Sequence, residues 1–235
     1  MSARHSSLIT RHGVFVTGTD TGVGKTLVAC ALILAVAETG RRVVGMKPVA
    51  AGAQANAQGV LVNDDVVRIM AASNVAAPQT NVNPYCFAPA TAPHLAARAS
   101  GVEIVLEVIL AAYWKLAALA EFVVVEGVGG FCVPLNARED SADLARHLGL
   151  PVLLVVGMRL GCLNHTLLTA QAIRARGLRL AGWIANRIDP SMAVAEENVT
   201  ALAERLAAPL LGEIEFTAAP DPQRIAALLD SSHLI

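Results

Sequence analysis

Residues 14–26 place a glycine-rich loop between an apolar β-type run and the start of an apolar helix. The loop ends in Gly24-Lys25-Thr26. Glycines let backbone N–H groups approach phosphate oxygens, and a helix N-terminus adds partial positive charge. In such a loop the lysine reaches the β- and γ-phosphates and the threonine hydroxyl binds Mg²⁺. The segment therefore predicts a phosphate-binding site built on Lys25 and Thr26.

The spacing of this loop differs by one residue from the general phosphate-loop motif, Gly-x4-Gly-Lys-Thr. Five residues separate Gly18 from Gly24, and Thr19 stands where the motif has its first glycine. An ordinary loop-to-helix turn is the alternative interpretation. The β-type run before the loop and the apolar helix after it favour phosphate binding.

Two charged side chains stand where predicted strands end. Lys47 directly follows the second strand, and Glu126 follows the apolar run Phe122–Val125. Ligands of open parallel sheets bind at the carboxyl ends of the strands, so both residues are expected beside the phosphate loop. A carboxylate there is costly unless it meets a cation, and Mg²⁺ beside Thr26 would supply one. The alternatives are a solvated edge charge for Lys47 and a cap of backbone N–H groups for Glu126.

Other polar residues are weaker candidates. Of Asp64 and Asp65, at the start of a predicted helix, one is expected to be the N-cap and the other to be free to bind metal. Asn186 closes a strand, where its amide either binds a base edge or forms a turn. Leu160–His165 opens a helix and is either a second anion site or a plain helix start.

Strands and helices alternate along the whole chain, which predicts a single-domain α/β fold of the P-loop NTPase type. We expect a doubly wound, mostly parallel sheet with helices on both faces over residues 13–235, preceded by a flexible tail over residues 1–12. The Gly52–Gly59 stretch is predicted to be a mobile loop. The predicted strands are Val14–Thr17, Arg42–Met46, Phe122–Val125, Val152–Val156, Leu180–Ala185 and Leu210–Ile214. The predicted helices are Lys25–Thr39, Asp64–Ala72, Val102–Ala120, Leu163–Arg176, Met192–Ala207 and Gln223–Leu229.

Charge and composition narrow the class of protein. The net charge is −1 and basic residues are scattered, which argues against a nucleic-acid partner. The longest apolar run, Leu148–Met158, is too short to cross a bilayer, so no membrane partner is expected. Four widely spaced cysteines are expected to be free thiols, and no apolar leader is seen near the N-terminus. These features predict a cytoplasmic enzyme.

From about Gly13 to about Pro222 the sequence resembles the ATP-dependent dethiobiotin synthetases of biotin synthesis. The unusual spacing of the phosphate loop is the form that this family uses. The blocks that carry the resemblance are residues 16–21 with 23–26, 47–50, 83–85, 92–94, 125–127 with 129–130, 160–165, 181–183 with 185–186, and 209–214.

The resemblance implies a homodimer that acts on 7,8-diaminononanoate, CO₂ and ATP with Mg²⁺. One amine takes up CO₂ to give a carbamate, which attacks the γ-phosphate, and the second amine then closes the ureido ring. Lys25 and Lys47 would be catalytic, and Thr26, Asp65 and Glu126 would hold the metal. Substrate would contact Lys47, Ala51 and, from across the dimer interface, Gly161, Cys162, Leu163 and Asn164. The implied nucleotide-binding residues are Thr21, Gly22, Val23, Gly24, Lys25, Thr26, Leu27, Asp65, Glu126, Gly127, Val128, Gly129, Asn186, Arg187, Glu215, Phe216 and Thr217.

The sequence departs from the family pattern at three of these positions. Ala51 replaces a frequent serine that contacts substrate, Gly22 replaces an acidic loop residue of some members, and Arg187 follows Asn186 where some members have Asp.

A P-loop switch ATPase of the partitioning or cluster-delivery type is the alternative function. Such proteins place a second lysine near the start of the phosphate loop, and here that position is Asp20.

Overall fold

Residues 13–234 are described by a computed structural model of the chain, and the predicted tail over residues 1–12 lies outside the described residues. Helices and strands alternate through most of the chain. The strands are β1 (Gly13–Gly18), β2 (Val43–Met46), β3 (Val49–Ala51), β4 (Gln54–Ala55), β5 (Leu61–Val62), β6 (Tyr85–Phe87), β7 (Phe122–Glu126), β8 (Val152–Met158), β9 (Leu180–Arg187) and β10 (Leu210–Ile214). The helices are α1 (Lys25–Glu38), α2 (Asp64–Ala72), α3 (Gln79–Val82), α4 (Pro93–Ala99), α5 (Leu106–Leu119), α6 (Ser141–Leu148), α7 (Cys162–Ala175), α8 (Ala195–Leu206) and α9 (Pro222–Ala226).

The predicted parallel sheet is confirmed. Six strands pair in the order β10-β9-β8-β1-β7-β2, and every pair in this sheet is parallel. All residues of β1, β7 and β8 are buried, because helices cover both faces of the central strands. β2 and β7 lie on one side of β1, whereas β8, β9 and β10 lie on the other. The strands that follow β1 in the sequence thus lie on both sides of it. α/β proteins of this kind bind their ligands beside such a strand, at the carboxyl edge of the sheet.

Register in the sheet brings the ends of three strands together. Val16 of β1 pairs with Glu126, and Met46 of β2 pairs with Val125. The phosphate loop, Glu126 and Lys47 therefore leave the sheet at the same edge, as the strand-end rule predicts.

The longest apolar run of the sequence, Leu148–Met158, contains a buried strand. Residues 152–158 form β8, which pairs with β1 and β9 and has no exposed residue. Between residues 13 and 234, none of the helices combines the length and the apolar character needed to cross a membrane.

Several element boundaries differ from the sequence prediction. The helix expected from Val102 begins at Leu106, because Val105 has extended backbone and its N–H binds the Tyr85 hydroxyl. The loop expected over Gly52–Gly59 contains β4, which pairs with β5 as an antiparallel ribbon. The prediction also missed β3 and β6, which form a separate parallel pair, and the short helices α3, α4 and α6. β3, β6 and α3 have three or four residues each, too few for a periodic pattern. α6 has eight residues and a capping box of Asp140 and Asp143, and this signal was overlooked.

Candidate active site

The phosphate loop joins β1 to α1 through a glycine in the left-handed conformation. Gly24, the N-cap of α1, has φ of +92°, and the helix begins at Lys25. A Cβ atom at this position would come within 2.2 Å of the Asn186 amide nitrogen. Both the backbone conformation and the neighbouring side chain therefore require glycine at this point.

Lys25 is a buried cation with little local compensation. Its side chain is 6% exposed, and its ammonium donates to the Asp20 carbonyl oxygen at 2.8 Å. Burial, helped by the nearby charge of Lys47, lowers the pKa of Lys25 to about 8. Within residues 13–234 no carboxylate lies within ion-pair distance of it, and the Asp20 carboxylate instead pairs with Arg159. A phosphate anion would supply the negative charge that this buried ammonium needs as a partner.

A second buried cation, Lys47, stands between two carboxylates. Its ammonium donates to Glu126 Oε1 at 2.5 Å and lies 3.1 Å from Asp65 Oδ2. The Thr26 hydroxyl donates to the same Glu126 oxygen at 2.9 Å. Burial alone would lower the pKa of Lys47, but the two carboxylates together raise it above its usual value. Burial likewise favours a high pKa for Asp65, and Lys47 outweighs this and lowers it.

The oxygens of this cluster fit a hard divalent cation. Glu126 Oε2 is buried and has no hydrogen-bond partner among the described residues, so one lone-pair-rich oxygen remains to be satisfied. Thr26 and Asp65 add a hydroxyl and a second carboxylate beside it. Two carboxylates and a hydroxyl suit Mg²⁺, which usually keeps several waters and binds phosphates with few protein ligands.

These groups lie in one cleft of about 1030 Å³ at the carboxyl edge of the sheet. At one end of the cleft Arg187 is fixed by Glu213, with Nε and Nη2 at 3.0 and 2.5 Å from the same oxygen, and by Glu215 at 3.4 Å. The sequence-predicted residues that line the cleft are Thr21, Gly22, Gly24, Lys25, Thr26, Leu27, Lys47, Ala51, Asp65, Glu126, Val128, Gly129, Asn186, Arg187, Glu215, Phe216 and Thr217.

Two more of the sequence-predicted residues, Val23 and Gly127, do not line the cleft, but their backbone carbonyls contact side chains that do. The Val23 carbonyl accepts a 2.8 Å hydrogen bond from Asn186, and the Gly127 carbonyl lies 3.4 Å from the Lys47 ammonium. The predicted substrate residues Gly161, Cys162, Leu163 and Asn164 do not line the cleft. A single chain therefore does not bring them to Lys47.

The expectation that Asp64 or Asp65 caps its helix is wrong. Asn63 is the N-cap of α2, and its side chain accepts a hydrogen bond from the Asp65 N–H at 3.1 Å. Asp65 faces the cleft, whereas Asp64 is exposed and does not line it. Of the two neighbours, Asp65 is the one placed to bind a metal.

Two cleft features escaped the sequence prediction. Arg68 lines the cleft from α2, one turn after Asp65, and the i, i+3 spacing on a helix was the signal for it. Asp20 also lines the cleft and pairs with Arg159, the residue before the Leu160–His165 loop. No sequence signal marks this pair, because 139 residues separate its members.

Comparison with known proteins assigns the chain to a family. The family model described as AAA domain matches residues 12–224. An ATP-dependent dethiobiotin synthetase of Nitrosospira multiformis is 55% identical, with 94% of this chain and 96% of the relative covered. The enzyme of the same name from Aromatoleum aromaticum is 57% identical, with 92% and 95% covered.

Solved structures share the fold at much lower identity. The receptor FtsY of Elizabethkingia anophelis is 16% identical with a TM-score of 0.52, covering 95% of this chain and 64% of that chain. The cell division protein MinD of Aquifex aeolicus is 16% identical with a TM-score of 0.50, covering 91% and 84%. At such identity the likeness shows a common P-loop fold only. Sequence identity above one half over nearly the whole length is decisive, and the chain belongs to the ATP-dependent dethiobiotin synthetases, ligases of biotin synthesis that use ATP.

Proposed function

We propose that the chain converts 7,8-diaminononanoate, CO₂ and ATP into dethiobiotin, ADP and phosphate, with residues 13–235 as one catalytic domain. The observation that carries this proposal is the meeting of two buried lysines, Lys25 and Lys47, with Glu126 at the phosphate loop. Phosphoryl transfer depends mainly on positioning and on neutralising charge, so cations and metal ligands should outnumber acid–base groups at such a site. The names of the relatives supply the substrate class.

The reaction has three steps in this proposal. First, one amine of the substrate forms a C–N bond to CO₂ and loses a proton, giving a carbamate. A carbamate oxygen then attacks the γ-phosphorus, and the bond from that phosphorus to the β-bridging oxygen breaks, releasing ADP. Finally, the second amine attacks the carbamoyl carbon, loses a proton and expels phosphate as the ureido ring closes.

The two lysines have different tasks. Lys25 emerges from the first turn of α1 inside the phosphate loop, so it stabilises the charge of the β- and γ-phosphates. Lys47 emerges from the neighbouring strand end, so it stabilises the carbamate and the oxygens of the phosphoryl group in transfer. In this proposal both lysines act as fixed positive charges, and no proton transfer is assigned to either.

Thr26, Asp65 and Glu126 would hold Mg²⁺ beside the phosphate loop. When bound, this ion supplies charge neutralisation for the β- and γ-phosphate oxygens. The carboxylates that then face the ion leave the Lys47 ammonium free to face the carbamate.

The far end of the cleft would hold the base. Asn186 uses one of its two amide N–H groups for Val23, and the rest of the amide is available to adenine. Arg187, fixed by Glu213 and Glu215, forms the wall next to Phe216 and Thr217. At the other end Ala51 has no side-chain donor, so the contact that other members make through a serine is either lost here or replaced by backbone or water.

We further propose a homodimer in which residues 160–164 complete the neighbour's site. Leu160 is 96% exposed in the turn before α7, and Asn164 is exposed in the first turn of that helix. Arg159, the residue before Leu160, pairs with Asp20 of the phosphate loop. Residues 160–164 do not line the cleft of their own chain, so in this proposal they reach a cleft across an interface with a second copy. In a symmetric dimer each loop reaches the other chain reciprocally. Small-molecule substrates and a cytoplasmic location complete the proposal.

The switch-ATPase alternative is not favoured. Asp20 stands where such proteins carry a second lysine, and the similarity to MinD concerns the fold alone. One assay separates the two functions: ADP release measured with and without diaminononanoate and bicarbonate, with Lys25→Gln as the inactive control. The synthetase requires both substrates for ADP release and yields one dethiobiotin per ADP. ATP turnover that is indifferent to both substrates would overturn the proposed function.

A further inference from the structure

Asn83 is a buried polar residue outside the cleft. Its side chain is 6% exposed, and its amide nitrogen donates two hydrogen bonds. One reaches the backbone carbonyl of Lys47 at 2.6 Å and the other the carbonyl of Tyr85 at 2.9 Å. Asn83 therefore uses both amide hydrogens on two backbone oxygens, one of which belongs to the buried lysine of the cleft.

The backbone at Lys47 lies between two strands. β2 ends at Met46, Pro48 has no N–H, and β3 begins at Val49. The Lys47 N–H donates to the Val82 carbonyl at 2.9 Å. Val82 and Asn83 thus hold the N–H and the carbonyl of Lys47 from the same segment, at the point where the chain leaves the central sheet.

We propose that Asn83 is a positioning residue that fixes the root of the Lys47 side chain. This inference rests on the proposed catalytic role of Lys47. A lysine has a long flexible stem, so a small rotation at its backbone moves the ammonium by a larger distance. The Lys47 ammonium must be held close to the transferring group to neutralise the charge that develops there. A displacement of about 1 Å in such a site reduces the rate about a hundredfold.

The two carbonyl oxygens explain why an asparagine is needed. Only an amide nitrogen with two hydrogens can bind both oxygens from one short side chain, and this fixes which way the amide is turned. An aspartate at position 83 has the same shape but only acceptors, so it would repel both carbonyls. Asn83→Asp therefore changes the hydrogen bonds and leaves the volume unchanged.

The first test compares Asn83→Asp with Asn74→Asp. Asn74 holds the opposite end of β2, donating to the Arg41 carbonyl and accepting from the Val43 N–H, both at 2.8 Å. Asn83→Asp is expected to lower kcat about tenfold to a hundredfold and to leave ADP affinity unchanged by calorimetry. Asn74→Asp should leave kcat per folded molecule unchanged. Equal losses of kcat in the two variants, or a loss of ADP affinity in Asn83→Asp, would overturn the inference.

The second test is a double-mutant cycle with Lys47→Gln, which keeps a hydrogen-bond donor near Glu126. If Asn83 acts through Lys47, Asn83→Asp should lower kcat by less than about twofold in the Lys47→Gln background. If the same factor is lost in both backgrounds, Asn83 serves the fold and the inference is wrong. Asn83→Ala, which lacks the repulsive oxygens, provides the same cycle should the aspartate variant not fold.

Failure of the proposed function gives a different pattern. Lys47→Gln alone would then keep the wild-type kcat, and no cycle would be needed. A strongly reduced but measurable kcat of Lys47→Gln together with a neutral Asn83→Asp change would reject only the positioning role of Asn83.

Discussion

Asn186 donates an amide N–H to the Val23 carbonyl at 2.8 Å and fills the space that a side chain at Gly24 would need. Asn186 lies on β9, which one strand, β8, separates from β1, whereas Val23 and Gly24 belong to the phosphate loop that follows β1. One hydrogen bond therefore joins the two parts of the cleft to which we assign the base and the phosphates. The loop and the end of β9 should move together.

Gly24→Ala tests this relationship. The change forces alanine into φ of +92° and pushes its Cβ to within 2.2 Å of Asn186, so ADP affinity should fall about tenfold or more. Gly40→Ala is the matched control, because Gly40 has φ of +83° at the far end of α1 but open space around it. Calorimetry should show normal ADP affinity for Gly40→Ala, and equal affinity losses in both variants would contradict the link to Asn186.

The sequence could predict at which edge of the sheet the charged residues lie, because this required only that the strands are parallel and that each residue stands at a strand end. Lys47 and Glu126 follow strands that prove to be neighbours, and parallel strands present their carboxyl ends at one edge. The contacts between them were not predictable in the same way. The hydrogen bond from Asn83 to Lys47 spans 36 residues and lies just before the paired short strands β3 and β6, which carry no periodic signal. Which aspartate faces the cleft likewise depended on Asn63 taking the N-cap.

Lys25→Gln should reduce turnover by about 10²–10³ and leave the fold intact. Among residues 13–234 its ammonium has a backbone carbonyl as its one hydrogen-bond partner, so replacing it by a neutral amide removes a buried charge without orphaning a carboxylate. Lys115→Gln, an exposed change on α5, is the control. Steady-state kinetics and thermal melting measure the two effects, and wild-type turnover by Lys25→Gln would reject the phosphate-loop assignment.

Glu126→Gln and Asp65→Asn should each raise the Mg²⁺ concentration required for half-maximal activity. Each removes one anionic oxygen from a set in which Mg²⁺ has few protein ligands. Asp64→Asn is the matched control, because Asp64 is adjacent in sequence but exposed outside the cleft. A magnesium titration in which Asp64→Asn is the most affected variant would move the metal ligand by one residue.

Asp143, which lies outside the cleft, gives a prediction about how the stability of the fold depends on pH. Its side chain binds the Asp140 N–H and the Arg176 guanidinium, which outweigh the effect of burial and lower the pKa of the carboxyl. Its contribution to stability is thus complete above the unfolded-state pKa of about 4 and is lost as pH falls through the lower folded value. Asp143→Asn should make the free energy of unfolding less sensitive to pH in this acid range, with turnover unchanged. Urea unfolding at several pH values measures this, and a variant as acid-sensitive as the wild type would contradict it.

The proposed shared site predicts that two defective chains restore activity when mixed. Lys47→Gln damages the site of its own chain, whereas a bulky change in residues 160–164 damages the site of its neighbour. We choose Asn164→Trp as this bulky change, because Asn164 is exposed, whereas Cys162 in the same segment is buried. Light scattering should first show that both variants are dimers.

In the heterodimer one site carries both defects and the other carries neither. Free exchange of subunits places about half of the dimers in this form, so about a quarter of all sites are intact. Mixing should therefore raise turnover to about a quarter of the wild-type value if the sites act independently. If the loop instead serves its own chain, every site in the heterodimer carries one defect. No recovery after demonstrated subunit exchange would then remove residues 160–164 from the neighbour's cleft and leave the chemistry of the phosphate loop unaffected.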